Sequence, residues 1–152
     1  MRFIEVKKSR EGKPIDFNRI EPEIEKLAEK FKLKLVYIYG SYAFNKAGKL
    51  SDLDIAILGE NKLSLDRELE LLQTLQKIFE EEAVDLVDLS KVPLTLIHRI
   101  LKEGRCIFAS DLSTKIDFEV RNEHLYYDTQ PLRREYFESL KKRIKDGTFG
   151  NR

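Results

Sequence analysis

The chain alternates between two hydrophobic periods over most of its length. Short apolar runs predict buried strands at about 33–39, 53–58, 83–89 and 106–109. Elsewhere, apolar residues recur every three or four positions, which predicts helices at about 20–32, 65–82, 94–103, 112–127 and 132–145. The pattern predicts an α/β (α+β) core of strands and helices, followed by helices alone.

Local signals place the ends of these elements. Proline suits the first turn of a helix, so Pro22 predicts that the first helix begins at about Ile20. Ser64 can cap the second helix, which we expect to continue to about residue 82. Gly104 predicts the end of the third helix.

The chain of 152 residues is expected to form one domain, 1–152, with a core at about 15–109 and a C-terminal helical extension at about 110–147. The fourth helix carries Ile116 and Val120 on one side, and the fifth carries apolar residues beside many basic ones. Core packing is the expected explanation for the apolar side of the fifth helix. Two alternatives stay open: a docking face for a partner protein, or a patch that binds acidic protein or RNA.

Composition and charge narrow the class of protein. The net charge is only +1, so overall charge does not indicate a nucleic-acid-binding protein. The single cysteine, Cys106, allows no intrachain disulfide, and two His with one Cys exclude a finger-type zinc site. No apolar run reaches the ~20 residues of a membrane span. We expect a cytoplasmic protein with no membrane association.

Between the first two strands, the residues with chemical potential are Gly40, Ser41, Asp52 and Asp54. Residues two apart on a strand share a face, so Asp52 and Asp54 can converge on one or two cations. Gly40 and Ser41 follow the first strand, where backbone N–H groups and a hydroxyl can hold a phosphate.

The third strand adds two further acids, Asp85 and Asp88, which lie on opposite faces of a regular strand. Only one of them can therefore join Asp52 and Asp54. Asp88 lies nearer the strand end and is expected to be solvated. Asp85 lies among apolar residues, where an unpaired carboxylate is costly to bury, so it is the expected ligand.

Three carboxylates around divalent cations is an arrangement suited to phosphoryl or nucleotidyl transfer. Two Mg²⁺ ions, held by Asp52, Asp54 and Asp85, could clamp the attacking and leaving oxygens of an in-line displacement. Asp85 would also accept the proton of the incoming hydroxyl. Gly40 and Ser41 would hold the triphosphate of the nucleotide. The chain has no Walker A motif.

The spacing of Gly40-Ser41, ten residues, then Asp52-Leu53-Asp54 resembles the signature of the polymerase β-like nucleotidyltransferase superfamily in its minimal (MNT) form. The third acid of that family lies in a strand written apolar-Asp-apolar-apolar, which matches the segment 84–87. The resemblance implies a small mixed sheet flanked by helices. Many relatives have Arg-Gly where this chain has Phe44-Asn45, so Lys46 or Lys49 would have to supply a basic phosphate contact.

The C-terminal half resembles MNT-type antitoxins of HEPN/MNT toxin–antitoxin systems, in segments 103–108, 118–119, 126–128 and 145–150. This resemblance implies an enzyme that transfers AMP from ATP to a tyrosine hydroxyl of a HEPN ribonuclease toxin. It implies a hetero-oligomer with that toxin and no direct binding of nucleic acid. Two alternatives stay open: an antitoxin that acts by binding alone, and a transferase for a small hydroxyl compound such as an aminoglycoside.

Three further residues have expected structural roles. His98 lies in the third helix and is expected to be exposed. Tyr37 and Tyr39 could frame a nucleotide, but packing in the core is their expected role.

Overall fold

A computed structural model describes residues 15–40 and 53–147. Its elements, in chain order, are α1 (Phe17–Phe31), β1 (Leu33–Tyr39), β2 (Leu53–Gly59), α2 (Leu65–Phe79), β3 (Val84–Asp88), α3 (Leu94–Glu103), β4 (Arg105–Ala109), α4 (Leu112–Asp128) and α5 (Gln130–Lys145). Each predicted helix and strand is present. The segment 41–52, with Lys46 and Lys49 as the candidates for a basic phosphate contact, lies outside the described residues.

The four strands form one mixed sheet in the order β3-β2-β1-β4. β1 is antiparallel to both of its neighbours, whereas β2 and β3 are parallel. This arrangement confirms the predicted small mixed sheet. It also brings the end of β1 beside the beginnings of β2 and β3.

Helices cover both faces of the sheet. On one face, α1 and α2 pack against β-strand residues such as Val36 and Ile55, which are fully buried. On the other face, α3 and α4 contribute to a second apolar cluster that includes Tyr37 and Ala56. β1 lies in the middle of the sheet, so every residue of it except Lys34 is buried. Tyr37 and Tyr39 are core residues, as expected.

Two helix boundaries differ from the prediction. α1 begins at Phe17 because the side chain of Asp16 accepts hydrogen bonds from the backbone of Asn18 and Arg19. Pro22 therefore lies inside the helix and not in its first turn, where it removes one helical hydrogen bond. α2 ends at Phe79, before the predicted residue 82, because Glu80 adopts a left-handed conformation with a φ of 52°.

The fourth and fifth helices contain no buried residue. Core packing was therefore the wrong explanation for the apolar side of the fifth helix. The exposed large apolar residues of these helices are Leu112, Ile116, Val120, Leu125, Tyr127, Leu132, Tyr136, Phe137 and Ile144. Helical periodicity predicts an amphipathic face but does not say whether that face is covered by the same chain.

α4 is attached to the sheet and to α3 through polar side chains. The Tyr37 hydroxyl donates a hydrogen bond of 2.8 Å to Glu119. Glu123 lies 3.0 Å from Nδ1 of His98, whose ring stacks on Tyr126 with 3.6 Å between centroids. The expectation that His98 is exposed is wrong, because α4 covers it and leaves its side chain only 15% exposed.

Candidate active site

Asp54 and Asp85 meet at the edge of the sheet where β1 ends and where β2 and β3 begin. In the strand register, Tyr39 lies opposite Asp54, and Asp54 lies opposite Asp85. Partners in adjacent strands project from the same face, so these three side chains form a row across the sheet. Asp54 is half-buried and Asp85 is exposed. The two carboxylates therefore lie together and are open to solvent on the Asp85 side.

Gly40 brings the backbone directly against the first of these acids. Its φ is +74°, a conformation that L side chains rarely adopt. A Cβ atom added here would overlap Oδ2 of Asp54. Glycine is therefore required both for the left-handed turn after β1 and for the close approach to the carboxylate. The partners predicted for these residues, Ser41 and Asp52, lie outside the described residues.

The two acids of the third strand lie in different environments, as expected. However, Asp88, which was expected to be solvated, is the buried one, and Asp85 is the exposed one. Asp88 is only 6% exposed, whereas Asp85 is exposed. Asp88 shares a face with Leu86, which packs against the cluster formed with α1 and α2. Its Oδ1 accepts hydrogen bonds from the backbone N–H and the hydroxyl of Ser90, at 2.9 and 2.7 Å. Asp88 thus has a structural role, and Asp85 is the acid beside Asp54.

Burial was accordingly the wrong reason for preferring Asp85. Asp85 lies near the beginning of an edge strand, where the solvent reaches it. What brings it to the site is its register with Asp54. The choice of Asp85 over Asp88 therefore rests on which face of the sheet each acid occupies.

Tyr39 lies beside the acid pair, and the charge of Arg99 in turn acts on Tyr39. The pKa of Tyr39 is raised to about 12, chiefly by burial and also by the negative charges of Asp54 and Asp85, while the charge of Arg99 lowers it. The hydroxyl of Tyr39 is therefore held neutral beside two carboxylates. The register of β1 with β2 could have indicated Tyr39, but no sequence pattern indicates Arg99.

Arg99 is carried by α3, which packs closely against the end of β1. A Cβ atom added to Gly104, just after α3, would lie 3.2 Å from Cβ of Tyr39 and 3.0 Å from the carbonyl oxygen of Ile38. Glycine therefore permits this close approach of the helix to the strand. The exposed guanidinium of Arg99 forms an ion pair with Glu103 at 3.2 Å.

The described part of this site fits a hard divalent cation. Oxygen ligands from carboxylates are what Mg²⁺ prefers, and Asp54 and Asp85 supply them from adjacent strands. Both carboxylates make the site electronegative enough to raise the pKa of the neighbouring Tyr39. Within 15–40 and 53–147, no group of three His, Cys, Asp or Glu side chains is arranged to hold a metal.

The fold and this acid pair define a nucleotidyltransferase-type site, and comparison with known proteins agrees. Residues 22–113 match the family model described as "Polymerase beta, Nucleotidyltransferase". The chain belongs to this family. The match covers every strand of the sheet and contains Gly40, Asp54 and Asp85.

Named relatives narrow the similarity to protein adenylyltransferases. The chain is 28% identical over 109 residues to the protein adenylyltransferase MntA of Shewanella oneidensis. The matched region covers 72% of this chain and 77% of that protein. It is 30% identical over 121 residues to a putative protein adenylyltransferase of Methanocaldococcus jannaschii, which covers 76% of this chain and 79% of the relative.

Solved structures give the same picture. A crystal structure of a toxin–antitoxin with AMP-PNP matches with a TM-score of 0.67 and 28% identity, over 80% of this chain and 98% of the other. A structure of the tri-AMPylated HEPN toxin of S. oneidensis in complex with its MNT antitoxin matches with a TM-score of 0.64 and 26% identity, over 83% and 99% of the two chains. The predicted resemblance to MNT antitoxins is confirmed. None of the helices in 15–40 and 53–147 combines the length and the apolar character needed to cross a membrane.

Proposed function

We propose that this chain transfers AMP from ATP to a tyrosine hydroxyl of a cognate HEPN ribonuclease toxin, and that it acts in this way as an antitoxin. The observation that carries the proposal is the pairing of Asp54 with Asp85 on adjacent strands, beside a glycine whose backbone lies against Asp54. Similarity to an antitoxin solved with AMP-PNP, and to one solved with an AMPylated toxin, supports the nucleotide and the acceptor.

The site residues have distinct roles in this proposal. Asp52, Asp54 and Asp85 would hold two Mg²⁺ ions, which, when bound, would offset the negative charge of the phosphates. Gly40 and Ser41 would bind the triphosphate through backbone N–H groups and the serine hydroxyl. Arg99, whose charge already acts on Tyr39, is a further candidate for contact with the nucleotide phosphates.

Asp85 would accept the proton of the attacking hydroxyl. The acceptor oxygen forms a bond to the α-phosphorus of ATP, the bond from that phosphorus to the β-phosphate bridging oxygen breaks, and pyrophosphate leaves. The exposure of Asp85 suits this role because a bulky acceptor can reach it from solvent. Tyr39, being neutral and buried, would stay protonated and would not compete as a base.

The proposal favours a protein acceptor over a small hydroxyl compound. We treat 1–152 as a single nucleotidyltransferase domain with its core at about 15–109, so that α4 and α5 are the main addition to the core. The large apolar side chains of these two helices are exposed, which suits contact with the surface of a protein. We also propose a cytoplasmic location, where ATP and a ribonuclease toxin would both be available.

The experiment is transfer of label from α-labelled ATP to the purified HEPN toxin, with and without Mg²⁺. The unaltered chain should label the toxin. Asp85→Asn should reduce labelling by about 100-fold or more, the usual range for loss of an acid–base group, and Asp54→Asn should reduce it through loss of a metal ligand. Asp66→Asn, an exposed acid on α2, is the matched control.

A second measurement separates catalysis from simple binding. If the Asp52→Asn/Asp54→Asn variant still neutralises the toxin in cells as well as the unaltered chain, the antitoxin acts by binding alone. If the unaltered chain labels a small hydroxyl compound but never the toxin, the protein acceptor is wrong.

A further inference from the structure

The outer side of α4 and α5 is an apolar surface that nothing in the described chain covers. We call it the α4–α5 surface and define it by Ile116, Val120, Leu132, Tyr136, Phe137 and Ile144, all of which are close to half exposed or more. Soluble chains rarely leave so many large apolar side chains of two consecutive helices in water without a binding role. These side chains therefore point to a partner for α4 and α5.

This surface lies outside the part of the chain that matches the general nucleotidyltransferase family. The family match ends at residue 113, near the beginning of α4. The similarity to the AMP-PNP toxin–antitoxin structure covers 80% of the chain, which is more than the family match can account for. The similarity to this toxin–antitoxin structure therefore extends beyond the residues that match the general family model.

The inner side of α4 is attached to the sheet and to α3, so the apolar side chains of α4 are not exposed through loose packing. Glu119 accepts a hydrogen bond from Tyr37 and pairs with Lys115 at 3.1 Å. The ring of Tyr126 stacks on His98, and the guanidinium of Arg133 lies over the same ring at 3.8 Å from its centroid. α3, α4 and α5 are therefore linked through one stack of side chains.

Charge helps to decide which partner binds the α4–α5 surface: a second copy of the chain, RNA or another protein. α5 carries six basic and two acidic side chains, a net charge of +4. Of the four acids on α4, Glu119 and Glu123 are directed inward, to Tyr37 and His98. A second copy of the chain would therefore oppose the basic α5 with few acids, and two α5 helices would repel each other.

The apolar residues argue against RNA as the occupant. A phosphate backbone would pair with the basic side chains, but the aliphatic side chains of Ile116, Val120 and Leu132 have no counterpart on it. An apolar centre with a polar rim is the arrangement typical of a protein interface.

We propose that the α4–α5 surface is where the acceptor protein docks, and that the acceptor presents an apolar face bordered by acidic side chains. This inference rests on the proposed function, since it takes the acceptor to be a protein. Docking on an extension attached to β1 and α3 would hold the acceptor tyrosine at the site formed by the ends of the same elements.

The test compares binding and transfer with the purified HEPN toxin as the probe. Two surface variants are Tyr136→Ser/Phe137→Ser, which removes side chains 58% and 51% exposed, and Lys141→Glu/Lys142→Glu, which reverses two charges. The matched control is Leu65→Ser/Leu69→Ser on α2, where the side chains are 71% and 49% exposed.

Each surface variant should weaken toxin binding, measured by calorimetry, by about 10- to 100-fold, as expected when central aromatic or charged contacts are lost. The KM for the toxin should rise by a similar factor. Transfer of AMP to N-acetyltyrosine amide, a small acceptor that needs no docking, should stay unchanged. The α2 control should bind and modify the toxin like the unaltered chain.

The outcomes separate the two proposals. Toxin binding that both surface variants retain, or that the α2 control loses equally, overturns the docking surface. Binding without AMP transfer overturns only the catalytic proposal. A dimer of the unaltered chain that Tyr136→Ser/Phe137→Ser dissociates assigns the surface to a second copy. If the surface variants lose binding to labelled single-stranded RNA but keep binding to the toxin, the α4–α5 surface is assigned to nucleic acid. Either of these last two results overturns the inference.

Discussion

Replacing Gly40 with alanine tests the geometry of the acid pair with one methyl group. The new Cβ would overlap Oδ2 of Asp54, and the backbone would have to hold a φ of +74° with a side chain. The left-handed conformation costs about 1–2 kcal/mol. The overlap should cost a further amount of about 1–3 kcal/mol in stability, the usual cost of adding a methyl group to a well-packed core. The free energy of unfolding should therefore fall by about 2–5 kcal/mol.

A methyl group at position 40 should also damage activity. Either Asp54 rotates away or the turn after β1 shifts, and a displacement of about 1 Å in a catalytic group can cost about 100-fold in rate. Thermal unfolding followed by circular dichroism gives the stability. Transfer of label from α-labelled ATP to the HEPN toxin gives the activity, measured well below the unfolding temperature.

Two controls isolate the contact with Asp54. Gly147 has a φ of +71°, but a Cβ added there meets nothing within 4 Å, so Gly147→Ala should show the conformational cost without an effect on transfer. In an Asp54→Ala background the overlap disappears, and Gly40→Ala should then cost only the left-handed penalty. If Gly40→Ala costs the same with and without the Asp54 side chain and leaves transfer intact, the close approach is wrong.

Three further results follow from the site and its surroundings. Asp85→Asn should leave the free energy of unfolding within about 0.5 kcal/mol, because the side chain is exposed, while it lowers AMP transfer. Asp88→Ala should do the reverse and lose about 1–3 kcal/mol with its two hydrogen bonds to Ser90, so equal effects of both changes on transfer would contradict the assignment. In alkaline titration, Tyr37 and Tyr39 should stay protonated above the ordinary pKa, because burial raises both. The stability that protonated Tyr39 contributes is complete below a pH of about 10 and is lost as the pH rises through about 12, where Tyr39 titrates in the fold. Tyrosinate absorbance should then show two of the six tyrosines ionising late, and ionisation of all six near pH 10 with unchanged circular dichroism would refute this.

The sequence by itself determined the order and type of the helices and strands, because hydrophobic periodicity and turn residues act over a few neighbours. The spacing of the Gly-Ser and acid motifs also indicated that Gly40 and Asp54 belong together, and the resemblance to the family favoured Asp85 as the third acid. The start of α1 was wrong because a cap at Asp16 outweighed the preference of Pro22 for a first turn.

Only the tertiary structure decided which side chains are covered. Asp85 and Asp88 differ by three positions in one strand, yet Asp88 is buried on the face near α1 and α2, while Asp85 lies exposed beside Asp54. The approach of Arg99 to the site likewise depends on how α3 packs on the end of β1. The apolar sides of α4 and α5 have the same period whether they face the core or a partner. Burial depends on contacts between residues distant in the chain, and a local pattern does not contain them.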